Sequence, residues 1–264
     1  MKKLLFTALI FYSFFIQSSR AEENWKETRS QHFIVCFTAD KDFAQKILNA
    51  SEEYYKSIAY DLGYQRYENF WLWEERAKIY TYPDHDTMIS ATNQPGWTQG
   101  VTFYDRRTIC TYWGNKNFME TILPHELTHL IFRDFIGFKN NAPLWLDEGV
   151  AQWTEKRRSG SVQEYDAYLL RQNRFIPLFV LIKLDNIDLK SKKYEKFINI
   201  FYHQSLSLVN FLITQHGTTK FTTFCRRLKE GELFEDALRF SYSPSLKSLS
   251  DLETQWKKHI REAI

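Results

Sequence analysis

Cysteine is scarce in this chain, and its scarcity excludes a disulfide scaffold. Three cysteines, Cys36, Cys110 and Cys225, stand in 264 residues, and an odd count leaves at least one thiol unpaired even in an oxidising compartment. None has the close-spaced partner of a thiolate metal site, and nothing supports a cysteine nucleophile. They read as small buried hydrophobes. A surplus of one charge is also missing. The net charge is +3, from 35 basic and 32 acidic residues. Lys2, Lys3 and Arg20 belong to the first 21 residues, and without them 32 basic residues face 32 acidic ones. The pI of 8.6 is therefore no argument for a nucleic-acid partner. Arg157-Arg158 and the lysines from Lys190 to Lys193 read as solvated loop or helix-end charges. Internal repeats and low-complexity tracts are absent. Long hydrophobic runs are absent too, apart from Leu4 to Ile16, which is shorter than the roughly 20 residues a membrane-spanning helix needs.

That one run has a different reading. Lys2-Lys3 gives a basic start, Leu4 to Ile16 an apolar core, and Ser19-Arg20-Ala21 small residues at cleavage offsets, the signature of a secretory leader removed after Ala21. The alternative is an uncleaved anchor. No cysteine near the cleavage point is available for a lipid. The sequence thus predicts an exported protein, periplasmic or extracellular, with no stable membrane span after cleavage.

About 240 residues remain, enough for one large domain or two lobes sharing a cleft. With 44% hydrophobic and 17% aromatic residues they can form a packed core. His32 to Thr38 reads as a strand. Asp42 to Leu62 reads as a helix, with Phe43, Ile47, Ala50, Tyr54 and Ile58 recurring at three and four before Gly63. Ala77 to Tyr82 is a second strand, stopped by Pro83, and Asp86 to Ala91 a short helix. Asn93 to Gly96 makes a turn. Val101 to Tyr104 and Thr108 to Trp113 read as a hairpin. From Asn117 onward the chain is almost all helical. The expected fold class is α+β: a small mixed or antiparallel sheet lobe with one long helix, then a mainly helical lobe. The expected division is 1–21 leader, 22–115 sheet lobe, 116–264 helical lobe.

At the start of the helical half stands His125-Glu126-Leu127-Thr128-His129, the HExxH pattern. Residues four apart share a helix face, so both imidazoles can reach one metal ion. Glu126 faces the same cleft and can take the proton of a metal-activated water. Zinc is the expected metal, one ion, with an open fourth position; two histidines and a glutamate form a standard set. The neighbours Leu123, Leu127, Leu130, Ile131 and Phe132 bury this helix, and two unpartnered histidines there would be costly. Pro124 reads as a kink or a restart of the helix.

Leu144-Trp145-Leu146-Asp147-Glu148-Gly149 follows, with eighteen residues between His129 and Glu148. The two segments together resemble the gluzincin metallopeptidases, and among them the peptidase MA-like family. The resemblance runs from about Ser30 to the C-terminus. It includes Tyr202 to Leu212 with His216-Gly217, similar to a Y-x-x-S helix of that family, and Pro244 to Trp256, similar to its closing helix. It implies a thermolysin-like catalytic core with zinc in the cleft between the lobes, Glu148 as third ligand, and a peptide or protein substrate. It also implies that the strand before HExxH edges the cleft and pairs with substrate backbone, here through Ile109, Cys110 and Thr111; the alternative is an ordinary edge strand.

An oxyanion donor is needed where charge builds on the carbonyl. Tyr202, at the Y-x-x-S position, and His203 are the two candidates. Zinc-bound histidines usually donate their other N–H to an acceptor, and Asp147 and Gln152 are the candidates for that. His32, His85, His216 and His259 have no ligand partner at useful spacing. A zinc-bearing binding or scaffold protein would have no need of Glu126. A hydrolase of a non-peptide amide or ester stays open. No glutamate-bearing amine-binding motif precedes His125, which leans toward endopeptidase action.

Overall fold

The computed structural model describes residues 24–64, 71–137, 142–159, 162–185 and 197–262. The expected leader lies outside them. Five strands, β1 (Lys26–Arg29), β2 (Phe33–Phe37), β3 (Ala77–Tyr82), β4 (Val101–Phe103) and β5 (Thr108–Tyr112), form one mixed sheet in the order β1-β2-β3-β5-β4. β2, β3 and β5 run parallel, and β1 and β4 close the two ends antiparallel. β1 went unread because its side chains Lys26, Glu27, Thr28 and Arg29 give no apolar alternation; three of the four are exposed. An end strand wetted on both faces leaves no hydrophobic signature.

The helix α1 (Lys41–Asp61) begins where the Asp40 carboxylate accepts from the Phe43 N–H at 2.9 Å, an N-cap. It buries Ala44, Ile47, Leu48, Tyr55, Ile58 and Ala59. Phe33, Val35, Phe37, Ala77, Ile79 and Ile109 of the sheet are buried in the same core. Gly63, at φ +75, lets the chain turn out of the helix. A short helix, α2 (His85–Thr92), precedes the hairpin β4–β5.

The sheet order corrects one expectation. Ile109, Cys110 and Thr111 do not lie on an edge: β5 has β3 on one side and β4 on the other, and these three residues are buried. A hairpin returning from the chain end before β5 necessarily covers β5's outer side. On this side the edge of the sheet is β4.

The same register disposes of the cysteines. Cys36, Tyr80 and Cys110 stand side by side on β2, β3 and β5, so two strand spacings, roughly 9.5 Å, separate the Cα atoms of the two cysteines, beyond disulfide reach. All three cysteines are free and buried. Burial pushes the thiol of Cys36 up to about 11 and those of Cys110 and Cys225 up to about 12, which keeps them protonated and inert.

After β5 one wide helical turn, Phe118–Ile122, with the Ile122 N–H reaching the Asn117 carbonyl at 3.2 Å, feeds directly into α3 (Leu123–Ile136). Pro124 sits in the first turn of α3, where its missing N–H costs nothing, so the proline restarts the helix. Then come α4 (Leu144–Ser159), α5 (Val162–Gln172), α6 (Leu178–Leu181), α7 (Ile198–His216), α8 (Thr218–Lys229), α9 (Phe234–Tyr242) and α10 (Leu249–Glu262). α7 is the central helix. Eleven of its nineteen residues are buried, as expected of a helix apolar on all sides, and it packs against α4, α5, α8 and α10. Position 115 falls between β5 and α3, and one hydrophobic core runs across it. Among the described residues no helix is long and apolar enough to cross a membrane.

Candidate metal centre

Two helices supply the site. α3 carries His125, Glu126 and His129, and α4 packs against α3 and presents Glu148. The Nε2 atoms of His125 and His129 stand 3.2 Å apart. Glu148 Oε2 lies 4.0 Å from the first and 3.7 Å from the second. These three residues can place one ligand atom each within 4.8 Å of one another, and among the described residues they are the one such cluster.

The hydrogen bonds behind the ligands decide what can fit between them. His129 Nδ1 lies 2.9 Å from Asp147 Oδ1, and His125 Nδ1 lies 3.2 Å from Glu155 Oε2. A carboxylate can only accept, so each ring gives its Nδ1 proton outward and turns a bare Nε2 lone pair inward. In that tautomer two ring lone pairs and a carboxylate oxygen converge. Such a group calls for positive charge at its centre, supplied by a metal ion or, without one, by a proton. Four tetrahedral ligands about 2.0–2.1 Å from zinc stand about 3.3 Å apart, close to the 3.2 Å between the two nitrogens. The donor set fits zinc.

The electrostatics agree. Burial alone would push the His129 imidazole down, but Asp147, then Glu148 and Glu126, outweigh it and raise it to about 9. The pocket favours a positive charge. Burial holds Glu148 above the usual carboxylate range, with His129 and His125 opposing. Burial would do the same to Asp147, but His129 and Arg133 hold it below that range. Arg133 reaches Asp147 Oδ2 through Nε at 2.9 Å and Nη2 at 2.6 Å. Asp147 thus orients the His129 ring with one oxygen and is fixed by Arg133 with the other.

Gln152 does not fill the role considered for it. The acceptor for His125 is Glu155, seven residues beyond Glu148 and thus on the same side of α4 two turns on. Lys156 pairs with Glu155 in turn. The i+7 spacing was the available signal.

Tyr202 and His203 separate clearly. α4 and α7 pack tightly at Gly149 and Ser205: a Cβ on Gly149 would lie 2.5 Å from the Ser205 carbonyl oxygen and 2.8 Å from Val209 Cγ2. Tyr202, one turn before Ser205, is half-buried; burial, and after it the Glu148 charge, push its phenol up to about 12. Adjacent helix residues point about 100° apart. His203 accordingly turns to α5, where its ring packs against Tyr165 and Tyr168 at 4.7 and 4.4 Å. Tyr202 thus feels the Glu148 charge, whereas His203 packs against α5. His32 pairs with Glu52 at 2.7 Å, His85 meets the Thr98 carbonyl, and His216 and His259 pack against Phe211.

The crossing yields a prediction. Gly149→Ala would normally gain about 1 kcal/mol of helix propensity. Here the added methyl meets backbone that cannot yield, and the expected result is a loss of about 1–3 kcal/mol with weakened metal retention as α4 is displaced. Thermal unfolding and metal content check it.

The hairpin adds two residues that the sequence reading missed. Thr102 Oγ1 donates to Glu126 Oε2 at 2.6 Å. Tyr104 stands edge-on to His129, ring centroids 5.9 Å apart, with the Arg133 guanidinium 3.7 Å from its ring centre. Burial, and next the Glu126 charge, push its phenol far above its ordinary value. Thr102 lies in a three-residue strand and Tyr104 just beyond it, a run too short to stand out.

The profile of the Peptidase MA superfamily matches residues 73–262, from the turn before β3 through α10. No curated protein matches the chain.

Proposed function

Since the chain belongs to the Peptidase MA superfamily, and so to a group of metallopeptidases, we propose that it is an exported, gluzincin-type zinc endopeptidase. The observation that carries the reading is the convergence of three potential ligand atoms, His125 Nε2, His129 Nε2 and Glu148 Oε2, with carboxylates at the outer nitrogens of both rings. These residues would hold the ion.

Zinc held there would supply a water with its pKa lowered to about 7 and a Lewis acid for the scissile carbonyl. The chain's residues do the rest. The Glu126 carboxylate takes the water's proton as the oxygen attacks and returns it to the leaving amine nitrogen. The Tyr202 hydroxyl donates to the carbonyl oxygen as negative charge grows. The unpaired edge of β4 takes an extended peptide by backbone pairing, a mode indifferent to most side chains. The role considered for Ile109, Cys110 and Thr111 passes to Val101, Thr102 and Phe103. The leader features of residues 1–21 support export.

The test is mass-spectrometric cleavage of a diverse peptide library by mature protein, first stripped by a chelator and then reloaded. Cuts inside the peptides are expected from protein holding one zinc per chain, lost on stripping and restored by zinc. Cuts confined to peptide ends would replace endopeptidase by exopeptidase action. No cuts by the fully loaded protein would turn the reading toward a binding role.

A further inference from the structure

Thr102 of the edge strand and the residues flanking that strand, Gly100 and Tyr104, face α3 in register with it. Along a strand every second side chain lies on one face, about 6.7 Å apart, close to the 5.4 Å turn of a helix. Gly100, Thr102 and Tyr104 use this near match. A Cβ on Gly100 would stand 2.8 Å from Ile122 Cγ2. Thr102 bonds to Glu126. Tyr104 meets His129. Ile122, Glu126 and His129 are four and then three residues apart, one stripe of helix. Close packing before Thr102 and ring packing after it fix the height of the strand along the helix, so the contact between Thr102 and Glu126 is held from both sides.

On the reading of Glu126 as the base, we propose that Thr102 is a positioning residue that holds and aims it. The 2.6 Å separation is that of a charge-assisted O–H···O⁻ bond. A hydroxyl in this setting only donates, and keeps its own proton. Glu126 Oε2 is thereby occupied, and Oε1 is the oxygen left for the reaction. A water O–H bond breaks as an Oε1–H bond forms; later that bond breaks as the leaving nitrogen gains the hydrogen. Thr102 also belongs to β4, an end strand of the sheet, to which the proposed function assigns the substrate. The element that receives the substrate is therefore the element that orients the base, and a peptide seated on β4 is placed relative to Glu126 through a single residue.

Thr102→Val keeps the branched shape and the strand preference and removes only the hydroxyl. Thr102→Ser keeps the hydroxyl. With one zinc per chain in each, the expected result is a fall in kcat of about 10- to 100-fold for Thr102→Val, with KM within about twofold, and kcat within about threefold of the parent for Thr102→Ser. Equal losses in the two variants, or no loss in Thr102→Val, would overturn the proposal. Crystal structures of the zinc-loaded parent and Thr102→Val read the same point without turnover: the Glu126 carboxylate should be fixed in the first and rotated or spread over several positions in the second. An unmoved Glu126 overturns the proposal even if peptides are cut. A parent that cuts no peptide refutes the peptidase reading instead, and the crystallographic comparison still decides the role of Thr102.

Discussion

Glu126→Gln should lower kcat on a cleaved peptide by about 10³-fold, with one zinc still bound and an unfolding temperature close to that of the parent. Both halves follow from the geometry. Glu126 is not in the ligand cluster; its polar contact is Thr102. Glutamine has the same length, and its amide oxygen can still accept from Thr102, so neither packing nor metal coordination loses a partner. What disappears is basicity: an amide cannot take the water's proton. General acid–base catalysis contributes about 10²–10⁴-fold, and one residue acting first as base and then as acid belongs near the middle of that range or above. Steady-state kinetics and elemental analysis of the same preparation provide the check. A variant that keeps more than a tenth of the parent's kcat would place the base elsewhere. A variant that loses its zinc would mean that Glu126 contributes to the metal's hold after all.

The parts of this site that were legible in the sequence are those encoded by local periodicity. His125 and His129 share a face because four residues make one turn, and Glu148 announces itself by what surrounds it, Trp145, Leu146 and Gly149. Gly149 turns out to have its own physical cause, the backbone of α7 at Ser205. The strand at residues 77–82 and the helix ending before Gly63 were equally visible, since each buries one regular face. What stayed hidden depends on packing between elements. Glu155 serves His125 only because α4 lies along α3 in a particular register. The edge strand was assigned to β5 because it adjoins the HExxH helix in the chain, whereas lateral order in a sheet is a tertiary property that neither strand encodes alone. Thr102 and Tyr104 matter because the hairpin folds back along α3, which a three-residue strand cannot reveal by its pattern. β1 stayed hidden because it is polar.

Asp147→Ala should be the most destabilising single change at the site and should also loosen the metal. Asp147 is 3% exposed and serves two partners with different oxygens, His129 Nδ1 through Oδ1 and Arg133 through Oδ2. Truncation leaves a buried ring N–H without an acceptor and a guanidinium without its counter-charge. Removing one member of a buried pair costs about 3–5 kcal/mol. The Arg133 side chain is 30% exposed and can recover some hydration, which places the expected loss near 3 kcal/mol. The second effect is on the ion. Without Asp147 the His129 ring is free to turn and its Nε2 is less basic, and loss of such a partner typically weakens metal binding about 10–100-fold. The two effects can be separated by measuring stability with and without zinc. Each tenfold loss of affinity appears as about 1.4 kcal/mol of extra destabilisation in excess zinc. The variant should therefore be less stable than the parent by about 3 kcal/mol when stripped, and by a further 1.4–2.8 kcal/mol when loaded. Asp147→Asn, which keeps an acceptor for His129 but gives up the charge, should recover most of the metal affinity and only part of the stability. Equal destabilisation of the stripped and loaded forms would mean that Asp147 acts through Arg133 alone, and the orientation of His129 would then have to come from its packing against Tyr104.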